Sequence, residues 1–209
     1  MSQICHSLHQ LFNNLTIFSF PFNARLLPKN GIYILFEDGE QAHETNRIVR
    51  VGTHTGVNQL PSRIEQHFLK ENKDRSIFRK NIGRAILNRD HDPFLEQWEL
   101  DLTTSEAKQR YLPVLDLARL KQVERQVSEY IQGHLRFVAY RVDEKQKRLD
   151  WESKIISTLS WCTECRPSTT WLGNYSPKEK IKQSGLWIVN ELYKTPLSEG
   201  ELDELMMGG

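Results

Sequence analysis

The stretch "GIYILF" at residues 31–36, followed by "RIVRVGTHTG" at residues 47–56, decides the fold. Both segments are rich in the β-branched and aromatic residues that favour strands, and glycine turns flank the first of them. The polar run "EDGEQAHETN" at residues 37–46 separates the two. The pattern therefore predicts an antiparallel hairpin with a long loop, and it leaves one phenol, Tyr33, inside an otherwise apolar strand.

Further along the chain, apolar residues recur at the spacing of amphipathic helices, and one more segment has the composition of a strand. The predicted helices lie at 4–15, 60–72, 76–89, 114–132 and 147–162, and the predicted strand lies at 135–142. Residues 90–113 fit a strand or a helix equally well. The order predicts an α+β fold in which helices flank a small mixed three-stranded sheet.

The order of the predicted helices and strands also indicates how the domain is organised. We expect an N-terminal helical extension at 1–27, a core at 28–160 that includes a helical insertion at 90–134, and a C-terminal extension at 161–209. The sequence contains no internal repeat and no low-complexity linker.

Composition excludes several classes of protein. The chain has 209 residues, 26% of them charged and 38% hydrophobic, which is typical of a globular protein and not of a disordered one. No apolar run approaches the roughly 18 residues that a membrane helix needs, so we expect no membrane association. Three cysteines without a recognisable secretory signal predict a reducing, cytoplasmic setting.

Five polar residues are candidates for chemistry, although each also has an ordinary structural interpretation. Tyr33 is a common strand residue, and His54 suits a glycine-flanked turn. Arg63 and His67 are four positions apart and share one face of a predicted helix, where an exposed basic pair is common. Glu152 lies on a later helix, where a carboxylate often pairs with a nearby lysine or arginine. Only the combination suggests phosphodiester chemistry, since a lone carboxylate suits Mg²⁺ and a guanidinium suits phosphate.

The chain contains, in this order, "GIY", a strand that ends in "-VG-", a helical arginine and a late glutamate. In this order of motifs the sequence resembles the GIY-YIG nuclease family, in particular its restriction-endonuclease-like branch, over roughly residues 28–160. The resemblance implies a catalytic role for Tyr33 on the attacking water, for Arg63 on the phosphate, and for Glu152 as the metal ligand. It also matches His67 to a histidine of restriction-like members. Asn174 is matched more weakly to an asparagine that follows the glutamate in several members.

The second motif departs from the family pattern, because Arg50 stands where a tyrosine is expected while Gly52 is retained. An arginine there would lower the pKa of Tyr33 or contact phosphate, so we count it among the catalytic residues. DNA contacts are expected from His54 and Asn174 and from the basic segment at 73–89. The basic residues assigned there are Arg75, Arg79, Lys80 and Arg84, with a solvated helix face as the alternative interpretation.

The resemblance implies a DNA endonuclease that uses Mg²⁺ or Mn²⁺, with a homodimer expected for double-strand cleavage. One alternative is a catalytically inactive nucleic-acid-binding module, and another is a regulatory protein whose basic helix meets an acidic partner. Cys162 and Cys165 form a C-x-x-C pair, which is half of many zinc sites. The sequence shows no second half, so buried thiols without a metal are the preferred interpretation.

Overall fold

The structure is a computed structural model that describes residues 2–208. Within them, nine α-helices surround one four-stranded sheet. The strands are β1 (Phe18–Ser19), β2 (Gly31–Ala42), β3 (Thr45–Gly52) and β4 (Leu135–Arg141). The helices are α1 (Ser2–Asn13), α2 (Leu60–Phe68), α3 (Ile77–Arg89), α4 (Leu95–Trp98), α5 (Ser105–Tyr111), α6 (Leu117–His134), α7 (Lys145–Trp161), α8 (Glu179–Ser184) and α9 (Glu199–Met207).

The strand order is β1-β4-β2-β3, and every neighbouring pair is antiparallel. The α+β class is confirmed, but the expectation of a mixed three-stranded sheet is wrong. The two-residue strand β1 adds a fourth member at the edge beside β4. The long connection from β3 to β4 permits either strand direction, so sequence order alone did not fix the direction in which β4 enters the sheet.

The predicted hairpin is present, but its long loop is not. β2 runs on to Ala42, and only His43 and Glu44 form the turn, with φ angles of 50° and 63°. Two-residue hairpin turns favour such left-handed residues because their twist matches that of the strands. The polar run was interpreted as loop because its residues are hydrophilic, yet most of them belong to the two strands and their irregular pairing.

The sheet is buried on both faces, so β2 carries a continuous apolar run. Tyr33 and Leu35 point into a core formed with α2, α3 and α6. Ile32 and Ile34 point the other way, into a core formed with α1, α7 and α9. Alternation of side chains along a strand produces this division. The catalytic candidates on β2 and α2 therefore lie on one face, whereas Glu152 on α7 approaches from the other.

The outer edge of the sheet is partly covered by the C-terminal segment. The backbone N–H of Trp187 donates to Val49 O on β3 at 2.7 Å. The indole N–H groups of Trp171 and Trp187 both donate to the buried Glu37 carboxylate. The bond to Val49 satisfies one backbone carbonyl of the edge strand β3, and the bonds to Glu37 on β2 hold the covering segment in place. In the part of the chain that the structure describes, no helix combines the length and the apolar character needed to cross a bilayer.

Candidate active site

The hairpin brings two motif residues into direct opposition. Tyr33 pairs with Gly52 across β2 and β3, and Leu35 pairs with Arg50. Because every second residue faces the same side, Tyr33, Arg50 and Gly52 share the face covered by α2 and α3. The Tyr33 ring lies over Gly52, where an added Cβ would sit 2.2 Å from the phenol oxygen. A glycine is therefore required in the second motif whatever residue precedes it.

The Tyr33 side chain is fully buried and its hydroxyl has two polar neighbours. His67 Nε2 lies 2.8 Å from the phenol oxygen. The Nε–H of Arg50 donates to the same oxygen at 3.3 Å. An arginine in place of the family's second tyrosine thus meets the first tyrosine directly, inside a low-dielectric interior where its charge acts strongly.

His67 is held from its other side by the residue that begins α3. Its Nδ1 lies 2.8 Å from the Ser76 hydroxyl, which also accepts the Arg79 backbone N–H as the helix N-cap. Burial lowers the pKa of His67 well below its usual value, and the charges of Arg63, Arg50 and Arg79 lower it further. The imidazole is therefore neutral at physiological pH, and it can accept the phenolic proton when Nδ1–H donates to Ser76.

Arg50 connects the buried phenol to an open cleft. Its guanidinium also donates to Trp187 O and lies 4.9 Å from the centre of the Phe78 ring. The same side chain lines a cleft of about 510 Å³ between α3, α7 and the C-terminal segment. Polar residues supply much of the remaining lining: Asn81, Asp150, Glu152, Ser153, Asn190 and Glu191.

Glu152 reaches this cleft from α7, on the opposite side of the sheet from Tyr33. Its Oε1 accepts the backbone N–H of Thr53, at 2.9 Å, immediately beyond the end of β3. Burial raises the pKa of the Glu152 carboxyl, while Arg50, the Thr53 hydrogen bond and Arg63 act in the opposite direction. The charges of Arg50 and Arg63 therefore act on the Glu152 carboxylate at the edge of the sheet.

Arg63 lies in a neighbouring cleft of about 320 Å³ that Thr53 also lines. Its guanidinium donates to Gln66 Oε1 at 3.0 Å and approaches Arg75 O at 3.4 Å. Neither partner is a carboxylate, so the positive charge of Arg63 is not neutralised by a direct ion pair within the described residues. Such a guanidinium is suited to bind an anion that enters from solvent.

The expected exposed basic face on α3 is wrong, because three of its residues are committed to internal partners. Arg79 is fully buried and bound to the carboxylate of Glu124 on α6. Lys80 donates to Glu99 O, and Arg84 pairs with the Glu99 carboxylate. Sequence spacing does not reveal these pairs, since both acidic partners come from the segment 90–134, which meets α3 only through the folding of the chain.

Three other expected DNA contacts have different outcomes. His54 holds the turn after β3: Nδ1 lies 2.8 Å from Gly56 O, and Nε2 accepts from Gly31 N at 3.4 Å. Asn174 donates to Ser168 O and lines neither cleft, so it does not join Glu152. Arg75 alone among the four basic residues assigned to DNA in this segment has an exposed side chain, and its carbonyl contacts Arg63.

Sequence reasoning missed several groups around the candidate site. Thr53 acts through its backbone N–H, which no side-chain pattern reveals. Ser76 is the first residue of the helix predicted at 76–89, and the structure makes it the N-cap instead, but its contact with His67 depends on how α2 and α3 pack. Asn190 lines the same cleft as Glu152, whereas the asparagine chosen from sequence, Asn174, does not.

Comparison with known proteins adds one result. A family model described as the GIY-YIG domain matches residues 3–206, which is nearly the whole chain. No curated protein and no solved structure gives a significant match.

Proposed function

Because this chain belongs to the GIY-YIG domain family, a family of nucleases, we propose that it is a restriction-like DNA endonuclease that hydrolyses phosphodiester bonds with a divalent metal ion. The observation that carries the proposal is that Arg50 joins a buried hydrogen-bonded set of side chains to the cleft that contains Glu152. Tyr33 is hydrogen-bonded to neutral His67 and to Arg50, and Arg50 and Glu152 line one cleft.

Members of this family generally use divalent metals, and the chemistry of the cleft fits one. Glu152 has one oxygen bound to Thr53 N, and Asp150 and Glu191 line the same cleft. A single carboxylate assisted by water and phosphate oxygens is a common way for proteins to hold Mg²⁺. When bound, Mg²⁺ or Mn²⁺ would lower the pKa of a water molecule and stabilise charge on the phosphate.

Tyr33 and His67 would move the proton of the attacking water. As the phenol oxygen takes a proton from water, its own proton passes to His67 Nε2, so the phenol stays neutral. This relay removes the need for a phenolate, which a free tyrosine with a pKa near 10 would seldom form at neutral pH. Ser76, on the far side of the ring, would hold His67 in the tautomer that accepts.

The arginines would stabilise the negative charge that develops on the phosphate. Arg63 offers a guanidinium that lacks a carboxylate partner, and the exposed Arg75 lies beside it to contact the DNA backbone. Arg50 would act from inside, between the phenol and the cleft. Preorganised positive groups in a partly buried site are typically the largest contribution to catalysis of such reactions.

The test is incubation of the purified protein with supercoiled plasmid DNA, with Mg²⁺, with Mn²⁺ and with a chelator. We expect nicked or linear products that require the metal, and we expect Glu152→Gln to abolish them. Glu179→Gln is the matched control, because Glu179 lies on α8, lines neither cleft and forms an ion pair with Lys182. Cleavage that continues in Glu152→Gln would overturn the assignment of the metal ligand.

A catalytically inactive nucleic-acid-binding module is the second candidate. It is favoured by the complete burial of Tyr33 and by the arginine at position 50. The same assay separates the two, because such a module would bind DNA at low salt without cutting it in any metal.

Since one chain carries one site, double-strand cleavage would require two copies, and the mass of the protein in solution with and without DNA tests this.

A further inference from the structure

A second group of metal-binding residue types lies away from the nuclease cleft, where three distant parts of the chain meet. Cys5 comes from α1, and His43 occupies the turn between β2 and β3. Cys162 and Cys165 follow the end of α7. All three cysteines are buried and free. The C-x-x-C pair therefore has the second half that the sequence did not reveal.

We propose that Cys5, His43, Cys162 and Cys165 bind a Zn²⁺ ion as a structural site. His43 Nε2 lies 3.1 Å from Cys165 Sγ and 3.5 Å from Cys162 Sγ, and Cys5 Sγ lies 3.2 Å from Cys165 Sγ. In a zinc tetrahedron with these ligands, sulfur atoms are about 3.8 Å apart and sulfur and nitrogen about 3.5 Å apart. Each of these three separations lies within about 0.6 Å of that geometry, so small side-chain movements would admit the ion.

His9 also lies near these thiols, with Nδ1 3.7 Å from Cys5 Sγ and Nε2 4.0 Å from Cys165 Sγ, but both of its ring nitrogens are closer to backbone groups. Nδ1 lies 2.9 Å from Cys5 O, and Nε2 accepts the backbone N–H of Ile48 at 3.2 Å. Coordination through His9 would break one of these buried hydrogen bonds, which is costly. His43 makes no backbone bond of this kind in the described residues, and it faces two thiols. The fourth ligand is therefore His43.

The surroundings of His43 also suit a metal ligand. Glu164 Oε2 lies 3.6 Å from His43 Nδ1, the nitrogen that does not face the thiols. Histidines that bind zinc commonly present their other nitrogen to a carboxylate, which orients the ring. Glu164 stands inside the C-x-x-C pair, so one short segment supplies two thiols and the group that orients the histidine.

A disulfide is the competing explanation for the close thiols. The Cys5 and Cys165 sulfur atoms are 3.2 Å apart, whereas a disulfide bond is about 2.05 Å long. A disulfide between Cys5 and Cys165 would also not explain why Cys162 and His43 lie beside them. Zinc uses all four groups, and it would join α1, the hairpin turn and the end of α7 into one unit, so we expect the ion to stabilise the fold.

The test begins with the untagged wild-type protein, whose metal content is measured by inductively coupled plasma mass spectrometry. We expect about one zinc per chain, consistent with one four-ligand site. Replacement by Co²⁺ should give the visible bands of tetrahedral cobalt with thiolate charge transfer, and metal removal should lower the melting temperature. Protein with little bound metal and no response to added Zn²⁺ or Co²⁺ would overturn the proposal, and so would a disulfide found under non-reducing conditions.

Variants then test the ligand set independently of the nuclease. Cys165→Ser and His43→Ala should lose zinc and the cobalt spectrum. His6→Ala is the matched control, since its ring packs edge-on against His43 but His6 is not among the four ligands. If His43→Ala retained zinc while His9→Gln lost it, the choice of histidine would be wrong. If a variant fails to fold, the cobalt spectrum of the wild type still decides whether thiolates bind the metal.

Discussion

Tyr33 and Gly52 face each other across the β2–β3 hairpin so closely that any side chain at position 52 would collide with the phenol. An added Cβ would lie 2.2 Å from the Tyr33 oxygen and 2.3 Å from the ring carbon that bears it. The two motif residues are therefore one structural unit. The glycine makes room for the phenol, and the strand register positions the phenol against His67 and Arg50.

The first prediction concerns this contact. Gly52→Ala forces the buried phenol or the backbone to move, and overpacking of this kind typically costs about 1–3 kcal/mol. Urea unfolding should show that loss of stability. Gly133→Ala is the control, because Gly133 lies within α6 and nothing comes within 4 Å of its added Cβ. There we expect no loss, or a gain of up to about 1 kcal/mol. Equal stability of Gly52→Ala and wild type would contradict the packing.

The second prediction concerns the proton relay. Ser76→Ala removes the partner of His67 Nδ1, so we expect a reduced cleavage rate together with a loss of about 1 kcal/mol from the α3 N-cap. Ser198→Ala is matched to it, because Ser198 caps α9, away from the cleft. Its stability should fall similarly while its cleavage rate is unchanged. Equal cleavage rates in the two variants would show that Ser76 does not orient His67.

The third prediction concerns pH. Burial raises the pKa of Glu152 above 4.5, so the folded protein holds that proton more tightly than the unfolded chain does. The stability from Glu152 is present at low pH and is lost as pH rises through the raised pKa, where the carboxylate becomes able to hold a cation. Burial lowers the pKa of His67, whose stabilising effect is present above pH 6.5 and is lost as pH falls below it.

At sub-saturating Mg²⁺, the cleavage rate measured against pH should therefore rise from the acid side as Glu152 loses its proton, and it should show no separate step at 6.5 from His67. Raising the Mg²⁺ concentration should move the midpoint of this rise to lower pH, because the cation competes with the proton for the carboxylate. Near neutral pH, Glu152 is then ionised and His67 is neutral, as the reaction requires. A midpoint that does not move to lower pH as the Mg²⁺ concentration is raised would mean that Glu152 is not the carboxylate for which the proton and the cation compete.

The fourth prediction separates basic residues that bind DNA from those that hold the fold. Arg75→Ala should weaken DNA binding and lower the slope of log affinity against log salt by about one, since one phosphate contact is lost. Arg84→Ala should leave DNA binding unchanged and lower stability by about 1–3 kcal/mol, because Glu99 and Asn81 lose their partner. Filter binding and urea unfolding measure the two effects. The reverse pattern would restore α3 as a DNA-binding face.

Residue type and spacing predicted the features of the fold and site that depend on short stretches of chain. The strand at "GIYILF", the shared face of Arg63 and His67, and the helix that carries Glu152 are all present. The features that were missed depend on distant partners. The carboxylates that pair with Arg79 and Arg84 come from α6 and from the segment after α4. Cys5 and His43 are each separated from Cys165 by more than a hundred residues along the chain. Spacing along a sequence does not reveal such contacts.

The most direct measurement of the central claim is the rate at which Tyr33→Phe cleaves plasmid DNA in Mg²⁺, compared with wild type. The change removes one oxygen that His67 and Arg50 both contact, while the ring still fills its place over Gly52. Loss of a general base typically lowers the rate about 100- to 10,000-fold, and we predict a loss of that size with a normal circular dichroism spectrum. A variant that is correctly folded and cleaves DNA at nearly the wild-type rate would contradict the account.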